Sequence, residues 1–157
     1  MTYAEMVNYV AILAEQVKTF NPDEIVGVAR SGMPYATWVA QILKIKHLGY
    51  LNLDNKELVL SNKNAGRIMV IDDNTLSGDS YYQVKTLMDY KRKPIPLPLF
   101  KPKFEWRFGV LFTDSLATPD EVKLEVFAGV DLDYFATSVP GMMKNFKYKV
   151  RSRDEGI

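Results

Sequence analysis

Asp72 and Asp73 stand side by side, and the run Thr75-Leu76-Ser77-Gly78-Asp79-Ser80 that follows combines hydroxyls with a glycine. Where such a run opens a helix, the first backbone N–H groups have no intrahelical partner and the helix dipole makes the spot positive. That is a cradle for a phosphate. Two adjacent carboxylates beside it can hold the hydroxyls of a sugar or, directly or through water, a Mg²⁺. A single ligand carrying a phosphate, a diol and a metal-bound pyrophosphate would use the whole set. Plainer readings exist for the parts. Asp79 or Ser80 can simply cap the helix, and acids at strand ends are common. The complete run, four apolar residues (Ile68-Met69-Val70-Ile71), two acids and a Ser-Gly-x-Ser turn, is far more specific than its pieces.

The elements that must position these residues are legible around them. Thr2 and Glu5 have the spacing of a capping box, and Met6, Tyr9, Val10, Leu13, Ala14 and Val17 then mark one apolar helical face. Asn21-Pro22-Asp23 ends that helix. Ile25–Ala29 and Ile68–Ile71 are short, almost wholly apolar runs, the pattern of strands buried on both faces. The first breaks into Arg30-Ser31-Gly32-Met33-Pro34 and a helix over Tyr35–Leu43, and the second leads through the acidic run into a helix to about Tyr90. A strand is predicted near His47–Leu53. The polar stretch Asp54–Gly66 reads as a mobile loop or a hairpin around Leu58-Val59-Leu60. Pro94, Pro96 and Pro98 confine Lys93–Phe100 to an edge or a loop. Phe108–Thr113 reads as a buried strand, Thr118-Pro119-Asp120 as a turn, Leu124–Phe127 as an exposed strand and Leu132–Thr137 as a further strand. Two strand–loop–helix units with apolar strands predict an α/β domain, a parallel sheet with helices on both faces. In such a sheet ligands bind outside the carboxyl ends of the strands, so both loops share one rim.

Composition narrows the chemistry. The chain has 157 residues, 47% apolar and 25% charged, which suits one globular domain over residues 1–157 and excludes disorder, collagen and coiled coil. No window is long and apolar enough for a membrane span, and no signal peptide is visible, so a cytoplasmic protein is expected. The absence of cysteine excludes disulfides, thiolate metal sites and a Cys nucleophile, and a lone histidine, His47, disfavours a Ser-His-Asp mechanism. With 20 basic against 19 acidic residues, no global field draws the chain to nucleic acid. The basic tail (Lys144, Lys147, Lys149, Arg151, Arg153) reads better as a solvated face than as a nucleic-acid contact.

Other phosphate motifs fail. Gly27 and Gly32 have P-loop spacing, but Met33-Pro34 stands where Lys-Ser/Thr is required, and no G-x-G-x-x-G follows either strand. Met69–Asn74 resembles the first strand of a receiver domain, yet too little chain follows it. Arg67–Ser80 (RIMVIDDNTLSGDS) instead resembles the phosphoribosyl-pyrophosphate (PRPP) motif of type I phosphoribosyltransferases, and Ile25–Pro34 (IVGVARSGMP) resembles their pyrophosphate loop. Asp54-Asn55-Lys56-Glu57-Leu58 falls where the xanthine-guanine branch has its flexible catalytic loop, and Asp133–Pro140 resembles its hood segment. The resemblance implies a type I phosphoribosyltransferase-like parallel sheet flanked by helices, with a small C-terminal hood over residues 128–150. It implies Mg²⁺-dependent transfer of 5-phosphoribose from PRPP to a purine or purine-like base, a role in nucleotide salvage, and a homo-oligomer, dimer or tetramer.

Carried over by position, Asp72 and Asp73 bind the ribose hydroxyls and the magnesium ion, and Thr75, Leu76, Ser77, Gly78, Asp79 and Ser80 wrap the 5′-phosphate. Arg30, Ser31 and Gly32 hold the pyrophosphate, with a strained peptide bond, often cis in the family, near Arg30-Ser31. Closure of Asp54–Gly66 would exclude water. Departures concern the base. Leu76 occupies the position where purine members often carry a proton-handling Asp, and Asp114, or Ser115 if the register slips, stands where they carry a Lys. An Asp there favours a donor on the base, or is simply a turn residue. Phe135, Met142 and Phe146 are candidates for the base pocket, although methionines near Tyr134 and Phe135 are more often core. Asp79 opposes a phosphate unless it points away as a helix cap. The segment Pro94–Trp106 is an insertion relative to the compact family core. A second class of function remains open: a PRPP- or nucleotide-binding regulatory or assembly protein that kept the sugar-phosphate site and lost the base chemistry.

Overall fold

The structure, a computed structural model, describes residues 1–92 and 103–133. Helix α1 (Tyr3–Phe20) starts on the predicted capping box, with the Glu5 N–H donating to Thr2 Oγ1 at 3.1 Å, and ends on Asn21 in the left-handed region. Then follow β1 (Glu24–Val28), α2 (Met33–Leu43, with Pro34 in its first turn), β2 (Leu48–Asn52) and β3 (Glu57–Val59). The chain continues as β4 (Arg67–Asn74), α3 (Asp79–Lys91), β5 (Glu105–Asp114), α4 (Asp120–Glu125) and β6 (Val126–Leu132).

The strands form one sheet in the order β3-β2-β1-β4-β5-β6. All neighbours are parallel except β3, which returns antiparallel on β2, pairing Leu51 with Leu58. The sheet is therefore mixed, where a parallel one is predicted, because the stretch after β2 folds back as a hairpin before crossing to β4. The helices split between the two faces. α1 and α2 bury Val10, Leu13, Val17, Ala36 and Val39 against Ile25, Met69, Ile71 and Leu111. α3 and α4 bury Tyr81, Val84, Met88 and Val122 against Val26, Ile68, Val70, Phe108 and Val110. Alternate residues of β4 thus serve opposite cores, which is why its apolar run is unbroken.

Several predicted boundaries move. β4 does not stop at Ile71: Asp72, Asp73 and Asn74 are its last residues, and Asp72 and Asn74 stand in register with Val110 and Phe112 of β5. Leu124 and Glu125 close a short helix rather than opening an exposed strand, since Pro119 turns the chain into α4 first. Among the described residues the last strand is β6, which begins at Val126 and ends at Leu132, where the sequence predicts a strand to begin. Residues 128–132 of the predicted hood lie in this strand, and 134–150 lie outside the described residues, as do the basic tail and residues 94–102 of the insertion; Glu105 and Trp106 belong to β5.

The stretch Asp54–Gly66 is anchored rather than mobile along its length. Glu24, fully buried at the start of β1, accepts hydrogen bonds from the Ser61 N–H (2.7 Å) and the Asn62 N–H (2.6 Å). Asp23 accepts from the N–H groups of Gly66 (2.8 Å) and Arg67 (3.0 Å). Only the tip between β2 and β3 is left outside these ties, and it projects at the carboxyl end of β2, on the rim that carries the candidate site.

Candidate functional site

Adjacent parallel strands β1 and β4, with Gly27 opposite Ile71, bring their carboxyl ends together. The loop leaving β1 closes tightly, the Gly32 N–H donating to the Val28 carbonyl at 2.9 Å. It then lies flat on the end of β4. A Cβ at position 32 would collide with the Ile71 carbonyl oxygen and stand 2.8 Å from Asp72 Cα, so only glycine permits this approach. The Ala29–Arg30 peptide bond is cis, directly before the Arg30-Ser31 pair at which an unusual bond is expected. Arg30 is exposed at the rim.

This approach puts Ser31 on the acidic pair. Its hydroxyl lies 3.3 Å from Asp72 Oδ1 and 3.4 Å from Asp73 Oδ1. Each carboxylate also accepts the next backbone N–H: Asp73 N–H to Asp72 Oδ1 and Asn74 N–H to Asp73 Oδ1, both at 2.8 Å. Asp72 is 4% exposed and Asp73 is half-buried. Burial above all, then the hydrogen bond and charge of Asp73, push the Asp72 carboxyl up to about 8. Among the described residues no third His, Cys, Asp or Glu joins them into a metal-ligating group.

The turn after the pair has the expected form. Gly78 is the N-cap of α3 at φ 90°, a conformation that glycine adopts without steric cost, and the Asp79 N–H donates to Ser77 Oγ at 3.2 Å. Asp79 stands in the first turn, where the helix dipole favours an acid. Thr75 is buried, while Leu76, Ser77 and Ser80 are partly exposed. Arg30, Ser31, Gly32, Asp72, Asp73 and the turn Thr75–Ser80 therefore occupy neighbouring loops of one sheet edge.

The base-side candidates fare differently. Asp114, at the end of β5, is fully buried, and its Oδ1 accepts from the N–H groups of Leu116 (2.9 Å) and Ala117 (2.8 Å). That is an Asx turn, with burial where a solvated turn is the plainer expectation. Phe135, Met142 and Phe146 lie outside the described residues.

Two contacts at the site carry no local sequence signal. Ser31 reaches the acids across 41 and 42 residues of chain. Thr118, buried between β5 and α4, donates its hydroxyl to the Thr75 carbonyl at 3.1 Å; its place just before Pro119 marks only a turn. Among the described residues no helix is long and apolar enough to cross a membrane.

Comparison with known proteins follows the same geometry. No family model matches the sequence, and no curated protein matches it significantly. Solved structures do. A purine phosphoribosyltransferase from Pyrococcus horikoshii is similar with a TM-score of 0.54 and 19% identity, over 85% of this chain and 86% of that one. A xanthine-guanine-hypoxanthine phosphoribosyltransferase from Helicobacter pylori gives 0.54 and 16%, over 93% and 94%. An orotate phosphoribosyltransferase from Aeropyrum pernix gives 0.57 and 18%, over 83% and 73%. At these identities the likeness is one of fold, and the fold is that of the type I phosphoribosyltransferases.

Proposed function

We propose, from the fold shared with phosphoribosyltransferases, that the chain transfers 5-phosphoribose from PRPP to a nitrogenous base with release of pyrophosphate. The observation that carries this reading is the seating of the Arg30–Gly32 loop on Asp72 and Asp73, through Ser31 and the bare backbone of Gly32. It supports a reading in which the Arg30–Gly32 loop, the carboxylate pair and the Thr75–Ser80 turn would meet the successive groups of one activated sugar phosphate.

The residues present fit a magnesium ion. A carboxylate pair in which Asp73 and burial keep the Asp72 proton on gains from a divalent cation, and Mg²⁺ is commonly held by one or two carboxylates together with substrate phosphates and water. Asp72 and Asp73 would hold it, and when bound it would neutralise charge on the departing pyrophosphate. The chain's own residues do the rest. Cleavage at C1′ builds positive charge on the ribose and negative charge on the leaving group. On this reading Arg30 meets the negative charge, and the carboxylates orient the ribose hydroxyls. The amides of Thr75–Ser80 fix the 5′-phosphate at the far end, so that the sugar is held in one pose. The hairpin tip at 53–56 lies at the same rim and is the segment that would cover it against water.

A purine-like base is the first choice of acceptor, with Leu76 unable to take a proton and Asp114 engaged by its own turn. Those same two positions support a second reading, a non-catalytic PRPP- or nucleotide-binding regulatory or assembly protein. Pyrophosphate release from PRPP and Mg²⁺ across a panel of purine and pyrimidine bases separates the two. Turnover on one base supports the transferase; PRPP binding without turnover on any base supports the regulator; no binding of PRPP removes both.

A further inference from the structure

We propose that Thr118 is a positioning residue for the phosphate turn: its buried hydroxyl locks the point where that turn leaves β4 to the end of β5. The inference rests on the proposed sugar-phosphate site and adds a residue outside the motifs that identify it.

Thr118 is 2% exposed. Its Oγ1 accepts the Asp114 N–H at 2.8 Å and lies 3.1 Å from the Thr75 carbonyl oxygen. The first partner can only donate and the second can only accept, so the single hydroxyl proton must point at Thr75. Among the described residues the neighbouring Thr75 hydroxyl is itself buried with no hydrogen-bond partner, so past the last β4–β5 register pair, Asn74 with Phe112, the Thr75 carbonyl carries the tie to the end of β5.

The support beneath Thr118 is firm. Its own N–H returns to the Asp114 carbonyl at 3.2 Å, and Asp114 Oδ1 takes the N–H groups of Leu116 and Ala117. From the other side, Lys123 Nζ donates to the Ser115 carbonyl and to Asp131 Oδ2, both at 3.1 Å, while Thr113 donates to Asp131 Oδ1 at 2.7 Å. The Ser115 N–H reaches the Leu132 carbonyl at 2.8 Å. The loop after β5 is thereby clasped between β5 and β6. The turn meets the same segment a second time, where a Cβ on Gly78 would come 3.0 Å from Val122 Cγ2 of α4. Entry and glycine of the turn both rest on residues 114–122.

An anion cradle works through the directions of its N–H groups, and small misplacements of such donors are costly. Loss of the Thr118 hydroxyl leaves the Asp114 N–H and the Thr75 carbonyl without their partner and frees the turn to shift. The Arg30–Gly32 loop, seated on β4 from the α2 side, does not depend on it.

Calorimetric titration with two probes, ribose 5-phosphate and inorganic pyrophosphate, each with Mg²⁺, tests this. Thr118→Val should weaken ribose 5-phosphate about tenfold, the scale of a buried hydrogen bond left unmade. It should leave pyrophosphate within about twofold, and Thr118→Ser should restore the first affinity. In the wild type, ribose 5-phosphate should slow hydrogen exchange at Asp114 and Thr118, whereas pyrophosphate should not; this arm stands even where the valine variant does not fold. Wild-type binding of both probes with Thr118→Val unchanged, equal weakening of both probes, or no protection at Asp114 and Thr118 overturns this inference alone. A wild type that binds neither probe overturns the site reading and this inference together.

Discussion

Two acidic dipeptides flank strands of this sheet at opposite ends, and their surroundings make them different chemical objects. Asp23-Glu24 stands where β1 begins. Four backbone N–H groups, from Ser61, Asn62, Gly66 and Arg67, donate to its carboxylates at 2.6 to 3.0 Å. Asp72-Asp73 stands where β4 ends. There, among the described residues, the neighbouring loop offers one hydroxyl for two carboxylates, and the remaining donors are the pair's own chain neighbours. The first pair is finished by the fold and works as a fastener. The second is left with charge to spare, and its Asp72 carboxyl is driven up toward neutrality. An acid's role follows from which donors the fold brings to it.

The largest effect should come from breaking the unfinished pair. On the proposed function Asp73→Asn removes a charge that the ligand and its cation would use, and turnover with PRPP should fall by about a thousandfold or more, with PRPP binding lost alongside. Pyrophosphate release and PRPP titration measure both; undiminished turnover would remove the site assignment. Breaking the finished pair should do the reverse. Glu24→Ala leaves the Ser61 and Asn62 N–H groups unpaired in the interior and should cost about 3 kcal/mol in a urea unfolding series. Activity per folded molecule should hold, because Glu24 lies at the opposite end of the sheet.

The finest test uses pH. The folded Asp72 carboxyl, at about 8 against an ordinary 3.8, keeps its proton where the unfolded chain has lost it. Between those values the native state binds more protons, so without divalent cations stability should fall as pH rises from about 4 to about 8 and then level off. Asp72→Asn should flatten that decline, leaving the variant at pH 8 closer than the wild type to its own stability at pH 5. Urea midpoints at pH 5 and pH 8 for both proteins decide it, and an unchanged slope in the variant places the titrating group elsewhere.

Much of this molecule could be read from local pattern. The capping box at Thr2 and Glu5, the apolar face of α1, the two buried strands and the Gly78 turn rest on periods and turn chemistry contained within a few residues. Boundaries failed where tertiary pairing overrode local type. Asp72, Asp73 and Asn74 look like a loop, but pairing with β5 carries β4 on to Asn74, past Ile71, its last register partner on β1. Leu124 and Glu125 look extended, but Pro119 starts a helix on the α3 face first.

The site divides in the same way. Sequence alone determined which residues could carry the chemistry, because a phosphate turn needs glycine, hydroxyls and a helix start within one short run, and spacing records that. It could not decide that backbone N–H groups would fasten Asp23 and Glu24, that Ser31 leans on Asp72 and Asp73, or that Thr118 reaches the Thr75 carbonyl. Those relations join residues some 40 positions apart. They exist only once the sheet order sets β1, β4 and β5 side by side, since a hydrogen bond is fixed by distance in space and carries no trace of separation along the chain.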